Sequence, residues 1–144
     1  MQNLFGNAEQ IRQGAFTNGP AAKRIALGAR DIAAVAVAAL TEDGHAGKTY
    51  DLNGPELLDG HAQAAVISSV LGRPVRYLDV SVDDFVGQLK SFGLPAWMVE
   101  AFAVAAADPE IPGDQSSAEV ERTLRRKPGT LEQFIKDNRG AFQA

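Results

Sequence analysis

Residues 47–55 read GKTYDLNGP. Thr49, Tyr50, Asp51 and Leu52 alternate between Gly47 and the turn formers Asn53-Gly54-Pro55. Alternation bounded by turn residues predicts a β-strand. A lone strand leaves its backbone N–H and C=O groups without partners. The fold therefore turns on what this strand has beside it.

Upstream, NLFGNAEQIRQG predicts a short helix with Leu4, Ala8, Ile11 and Arg12 near one face and Gly14 as its stop. AFTNGPAAKRIALGA offers one or two short strands around an Asn-Gly-Pro turn. RDIAAVAVAALTEDG predicts a helix capped by Asp31 and closed just before Gly44. Ile32, Val35, Val37 and Leu40 share no single stripe, and the positions between them are mostly Ala, so this helix expects cover on two faces.

Downstream, ELLDGHAQAAVISSVLG carries Ala62, Val66, Ser69 and Val70 at helical spacing and ends at Gly72. RPVRYLDV predicts a strand with Val75 and Tyr77 on one face and Arg76 and Leu78 on the other. Ser81 caps VDDFVGQLKSFG, with Asp83 and Asp84 in the first turn, where the helix dipole favours acids. Pro95 opens PAWMVEAFAVAAAD and Pro109 stops it. Ser116 with Glu119, and Thr130 with Gln133, form two capping boxes ahead of the last helices. The expectation is an α/β chain of α+β character, mostly helical, with six or seven helices and three or four short strands in one domain spanning 1–144.

Composition narrows the function classes. At 144 residues the chain can bury a core without disulfides, and 45% hydrophobic with 22% charged residues suits a globular protein. Alanine, 24 of the 144, favours helix. A net charge of −4 gives no field that would draw in nucleic acid or an acidic membrane. With no cysteine, thiol catalysis and thiolate zinc sites are excluded, and a reducing cytoplasm is the expected location. No apolar run approaches a membrane span, and MQNLFGNAEQ lacks the regions of a signal peptide.

The order of segments is a further signal. GARDIAAVAVAALTEDGHAGKTYDLNGPELL, LGRPVRYLDVSVDDF, GLPAWMVEAF and RKPGTLEQFIKDN, in that order and spacing, are similar to the C-terminal half of NmrA-like proteins. These are atypical short-chain dehydrogenases/reductases, among them NAD(P)H-dependent quinone reductases and redox-sensing regulators. MQNLFGNAEQIRQG resembles the family's helix after a central strand, with Met1 near the family's mid-chain methionine. One departure is Leu27-Gly28-Ala29-Arg30-Asp31, where the family usually has Val-Asp-Val-Arg-Asp.

The resemblance implies a partial Rossmann-type half. In the family the counterpart of KTYDLNG is a strand of the central parallel sheet, flanked by strands of the N-terminal half. Thr49–Leu52 and the apolar helix after Asp31 are thus expected to be without those neighbours, and an open edge is a template for another chain. The resemblance also implies NAD(P)H, but the Gly-rich phosphate turn does not occur in this sequence, and Gly54 is followed by a proline with no N–H to offer. Tyr-x-x-x-Lys is missing as well: Gly54 follows Tyr50 by four and Ser81 follows Tyr77 by four. No cofactor, catalytic residue or metal ligand is therefore expected.

Candidate binding residues are few. Phe92, Trp97, Met98 and Phe102 could form an aromatic floor for a quinone or another flat apolar ligand, in the region that resembles the family's variable cap over substrate. Core packing or a subunit contact is the competing reading, and either would cover Trp97 at least in part. Asn3 matches the family's Asn near nicotinamide and substrate, and without cofactor it reads as a helix cap or an exposed amide. His45 and His61 read as surface residues. Arg122, Arg125, Arg126 and Lys127 read as a solvated helix end.

Three functions stay open: a non-catalytic module that binds a small apolar ligand or persists as an oligomer, a dimer above all; the substrate half of a split oxidoreductase with a dinucleotide-domain partner chain; and a partner-binding regulatory module.

Overall fold

The computed structural model describes residues 1–20, 24–107 and 118–143. A 3-10 turn, Gln2–Asn7, runs into α1 (Ala8–Arg12), which stops at Gly14 in the left-handed region (φ 91°). There follow β1 (Ala15–Phe16), β2 (Arg24–Ile25), α2 (Ala29–Thr41), β3 (Leu57–Leu58), α3 (Gly60–Leu71) and β4 (Arg76–Tyr77). Five helices complete the described residues: α4 (Val82–Ser91), α5 (Ala96–Ala107), α6 (Glu119–Leu124), α7 (Leu131–Asp137) and α8 (Arg139–Phe142). The chain is mostly helical with a few short strands, as expected. One more helix arises because LEQFIKDNRGAF breaks at Asn138, whose backbone leaves the helical region (φ −116°) while its amide donates to the Phe134 carbonyl.

The strands form two minimal sheets. β1 and β4 pair in parallel, Ala15 opposite Arg76 and Phe16 opposite Tyr77. β2 and β3 pair antiparallel, Arg24 opposite Leu58 and Ile25 opposite Leu57. Thr49–Leu52 is not a strand, which corrects the opening expectation. Its burial still alternates, with Thr49 and Asp51 exposed and Tyr50 and Leu52 half-buried, but no described strand lies beside it to form a ladder. Its turn is tightly held: a Cβ on Gly54 would fall 1.9 Å from the Ala26 carbonyl oxygen, so only glycine lets these two backbones meet.

The core gathers around α3. Ala64, Ile67 and Leu71 point inward with Leu131 and Ile135 of α7, Ile11 of α1, Phe16 and Val75. This is not the Ala62-Val66-Ser69-Val70 stripe expected from spacing; those positions are half-buried or exposed, because α7 and β4 cover the adjacent face. Burying an aliphatic or aromatic side chain contributes about 1.5–3 kcal/mol, and Phe16, Phe142, Ile11, Ile67, Leu131, Ile135 and Val120 are all fully buried. Asp59 caps α3 by accepting from the Ala62 N–H at 2.7 Å, and Gly72 closes it in the left-handed region. Two arginines tie the chain's end to this core. Arg73 donates to the Ile11 and Phe142 carbonyls, and Arg12 to that of Ala141.

α4 and α5 form a hairpin. Ser81 caps α4, accepting from the Asp84 N–H at 3.0 Å. α5 fully buries only Val99 and Ala106, and turns Trp97, Phe102 and Val104 outward. α2 likewise buries Asp31, Val35 and Ala38 and leaves Ile32, Val37 and Leu40 exposed. The expected second cover for α2 is not made by the described residues of this chain. Pro109 and Ser116, read as a helix stop and a cap, lie outside the described residues. At the other expected capping box the Thr130 hydroxyl does accept from the Gln133 N–H, but the Gln133 amide turns forward to Asp137 instead of back to the cap.

Candidate functional site

Asp31 is not the cap of α2; Gly28 occupies that position. Asp31 sits within the first turn, 4% exposed, where a bare carboxylate would be costly. It is matched instead. Oδ1 accepts from Arg126 Nη1 at 2.7 Å and Oδ2 from the Gly129 N–H at 2.9 Å. Arg126 thus leaves the solvated cluster in which its neighbours put it and becomes a clamp between α2 and the α6–α7 loop. A carboxylate inside an apolar run was the sequence signal for this pair, since such an acid demands a partner from elsewhere in the chain.

Above this clamp lies a pocket of about 320 Å³. Phe5 and Phe134 form one wall, with ring centroids 5.4 Å apart. Gln2, Arg30, Arg126 and Gln133 also line it. Gln2 is fixed by accepting the Ala29 N–H at 2.9 Å, and Gln133 by donating to Asp137 at 2.7 Å. The aromatic wall and the oriented amides can hold a flat molecule. The sequence reading missed this pocket, because its residues come from three segments far apart in the chain.

The residues expected to bind substrate are dispersed. Asn3 is exposed in the opening turn and caps nothing. Phe92 and Trp97 are 71% and 68% exposed, Phe102 is exposed and Met98 half-buried. The hollow between α4 and α5, about 370 Å³, is lined by Val86, Lys90, Leu94, Val99 and Glu100 among others, and by none of those four. Among the described residues, Trp97 lacks cover from its own chain, one of the two covers expected for it, since α5 buries Val99 and Ala106 instead.

The histidines are near the surface, but neither is alone. His61 Nε2 lies 2.9 Å from Asp79 Oδ2, and His45 Nδ1 lies 2.5 Å from the Tyr50 hydroxyl. The second pair borders a polar cleft in which Lys48, Arg122 and Arg125 are offset by Glu42, Asp43 and Glu119. Arg125 adopts φ 53° as the left-handed end of α6. Among the described residues no three metal-ligating side chains cluster, and no helix is long and apolar enough to cross a membrane.

This arrangement of a short parallel pair, a central α3 and a terminal α7–α8 packed on it defines a class. The chain is a relative of the NmrA-like NAD(P)H-dependent reductases and matches their C-terminal part. An NAD(P)H azoreductase of Xenophilus azovorans is 34% identical over 148 residues, which take in 100% of this chain and 51% of that protein. The crystal structure of the NADPH-dependent quinone oxidoreductase of Escherichia coli superposes with a TM-score of 0.78 at 28% identity, covering 95% of this chain and 51% of that one. The triphenylmethane reductase of Citrobacter sp., solved with NADP(H), shares the fold with a TM-score of 0.75 at 21% identity, over 92% of this chain and 47% of its own. The chain thus spans about half the length of these proteins. No family model matches the sequence.

Proposed function

We propose that these 144 residues form the substrate-side half of an NAD(P)H-dependent reductase fold, non-catalytic by themselves and with no dinucleotide site of their own. The observation that carries this reading is the outward apolar surface of α2, where Ile32, Val37 and Leu40 are 47%, 60% and 86% exposed on a helix that the sequence makes apolar all round. Such a face suits a docked neighbour. A dinucleotide-holding segment or chain would supply both that cover and the phosphate-binding glycines; a second copy would supply the cover alone and leave a cytoplasmic, ligand-binding dimer. In the first case the reacting acceptor is a flat, apolar molecule of the quinone or azo kind reduced by the relatives, and in the second such a molecule is bound without reaction.

The test is a fluorescence titration of the purified chain with NADH and NADPH, followed by turnover assays with a quinone. The expected result is no turnover and no saturable binding tighter than roughly 10 µM. Saturation below that concentration overturns the reading.

A further inference from the structure

The pocket above the Asp31–Arg126 clamp has a wall prepared for a ring. Phe5 stacks almost parallel on Phe142 (5.7 Å, 4°) and tilts against Phe134, while Phe142 is fully buried behind it. Phe5 is therefore held in place from within, yet remains 43% exposed at the pocket. The same pocket has donors that are oriented but not used up. Both bonds found for Arg126 run from Nη1, to Asp31 and to the Lys127 carbonyl, and its Nε and Nη2 N–H groups have no partner among the described residues. Gln2 accepts through Oε1, leaving its NH₂ available.

The open donors decide which ring substituent fits. Each Asp31 oxygen already accepts one hydrogen bond, from Arg126 and from the Gly129 N–H. Arg30 is 86% exposed and only 3.7 Å from Asp137, a loose pair at high dielectric that an incoming anion can outcompete. Two guanidiniums and two carboxylates line the pocket and balance in charge, but both carboxylates already accept hydrogen bonds while Arg126 keeps an open edge among the described residues, and a guanidinium edge matches a carboxylate through two parallel hydrogen bonds.

We infer that this pocket binds a planar aromatic carboxylate of one or two rings, with the ring against Phe5 and Phe134 and the carboxylate on the free edge of Arg126, joined by Arg30. Aromatic stacking holds the ring and the preset donors select the anion. The site is separate from the reductase reading, because none of its residues is asked to hold or reduce a cofactor.

Isothermal titration of the chain with 2-naphthoate tests it, with 2-naphthamide as the uncharged isostere. One-to-one binding with Kd of about 0.1 mM is expected for naphthoate, and binding roughly tenfold weaker for the amide. Naphthoate should shift the backbone amide resonances of Gly28 and Gly129, which border the pocket. Phe5→Ala should weaken both ligands, and Arg30→Gln only the carboxylate. Each variant is first checked for an unchanged melting curve, and Phe134→Leu replaces Phe5→Ala if that variant fails to fold. Equal affinity for acid and amide, no saturation at millimolar concentration, unmoved glycine resonances, or a ring variant that binds as tightly as the parent would each overturn the inference.

Discussion

Asp31 and Arg126 meet across 95 residues, and their unequal burial sets what each contributes. The Asp31 side chain is 6% exposed and that of Arg126 is 49% exposed. Arg126→Ala leaves a buried carboxylate with the Gly129 N–H as its one remaining partner, and should cost about 3 kcal/mol. Asp31→Ala leaves a guanidinium that water can reach, along with one unsatisfied N–H, and should cost about 1–2 kcal/mol. Urea denaturation of both variants checks the order, with equal m-values required; a larger loss for Asp31→Ala would show that the arginine is the less solvated partner. At this scale much was legible in the sequence. The caps at Ser81 and Thr130 and the stops at Gly14 and Gly72 rest on local chemistry, which a short window contains. Asp31's partner was not legible, because a salt bridge between distant segments has no local spacing to reveal it.

Among the elements, α3 and β4 show how a glycine can be fixed by packing as well as by backbone conformation. Gly60 opens α3 directly over the ring of Tyr77; a Cβ there would fall 2.4 Å from the ring carbons. Tyr77 cannot easily retreat. Its ring stands edge-on to Phe16 at 5.3 Å, and its hydroxyl proton is shared between Asn18 Oδ1 and the Gly19 carbonyl. Gly60→Ala should therefore destabilise the protein by roughly 1–3 kcal/mol, despite alanine's better helix propensity. Adding Tyr77→Leu to it should restore less than the full loss, since the hydroxyl's partners are then left open; thermal melts of the single and double variants decide this. If Gly60→Ala is neutral, the ring is not held as described. The β4 strand was legible from its alternation, and α3 from its length, but the buried stripe of α3 was not. Ala, Ser and Val recur on all its sides, so spacing alone does not distinguish the face that meets α7. For Thr49–Leu52 the missing neighbours were expected from the resemblance but the strand did not form, because a ladder depends on the neighbour as much as on the alternation.

At the scale of the whole molecule, the largest question is what meets the outer faces of α2 and α5. Ile32, Val37 and Leu40 on one helix, and Trp97, Phe102 and Val104 on the other, amount to more exposed apolar side chain than scattered surface residues explain. For the chain by itself, a second copy is the simplest cover, since a two-fold axis lets one patch meet its own image. A stable contact needs roughly 1,200 Å² of total buried surface, and a face as long as the 13-residue α2 can provide much of it. The choice of variant matters. Val35 is 3% exposed inside its own chain, so Val35→Glu would unfold the protein and say nothing about association. Val37 is 60% exposed in the isolated chain, so Val37→Glu should leave the fold intact while placing two like charges across the axis. We expect sedimentation equilibrium at micromolar concentration to give a dimer for the parent and a monomer for Val37→Glu, with unchanged far-ultraviolet circular dichroism. If Val37→Glu stays dimeric while Trp97→Glu dissociates, the contact belongs to α5, and Trp97 emission in the parent should then be blue-shifted and shielded from quencher. A parent mass equal to the monomer and independent of concentration would remove the dimer, and leave a dinucleotide-holding partner as the cover that these faces await.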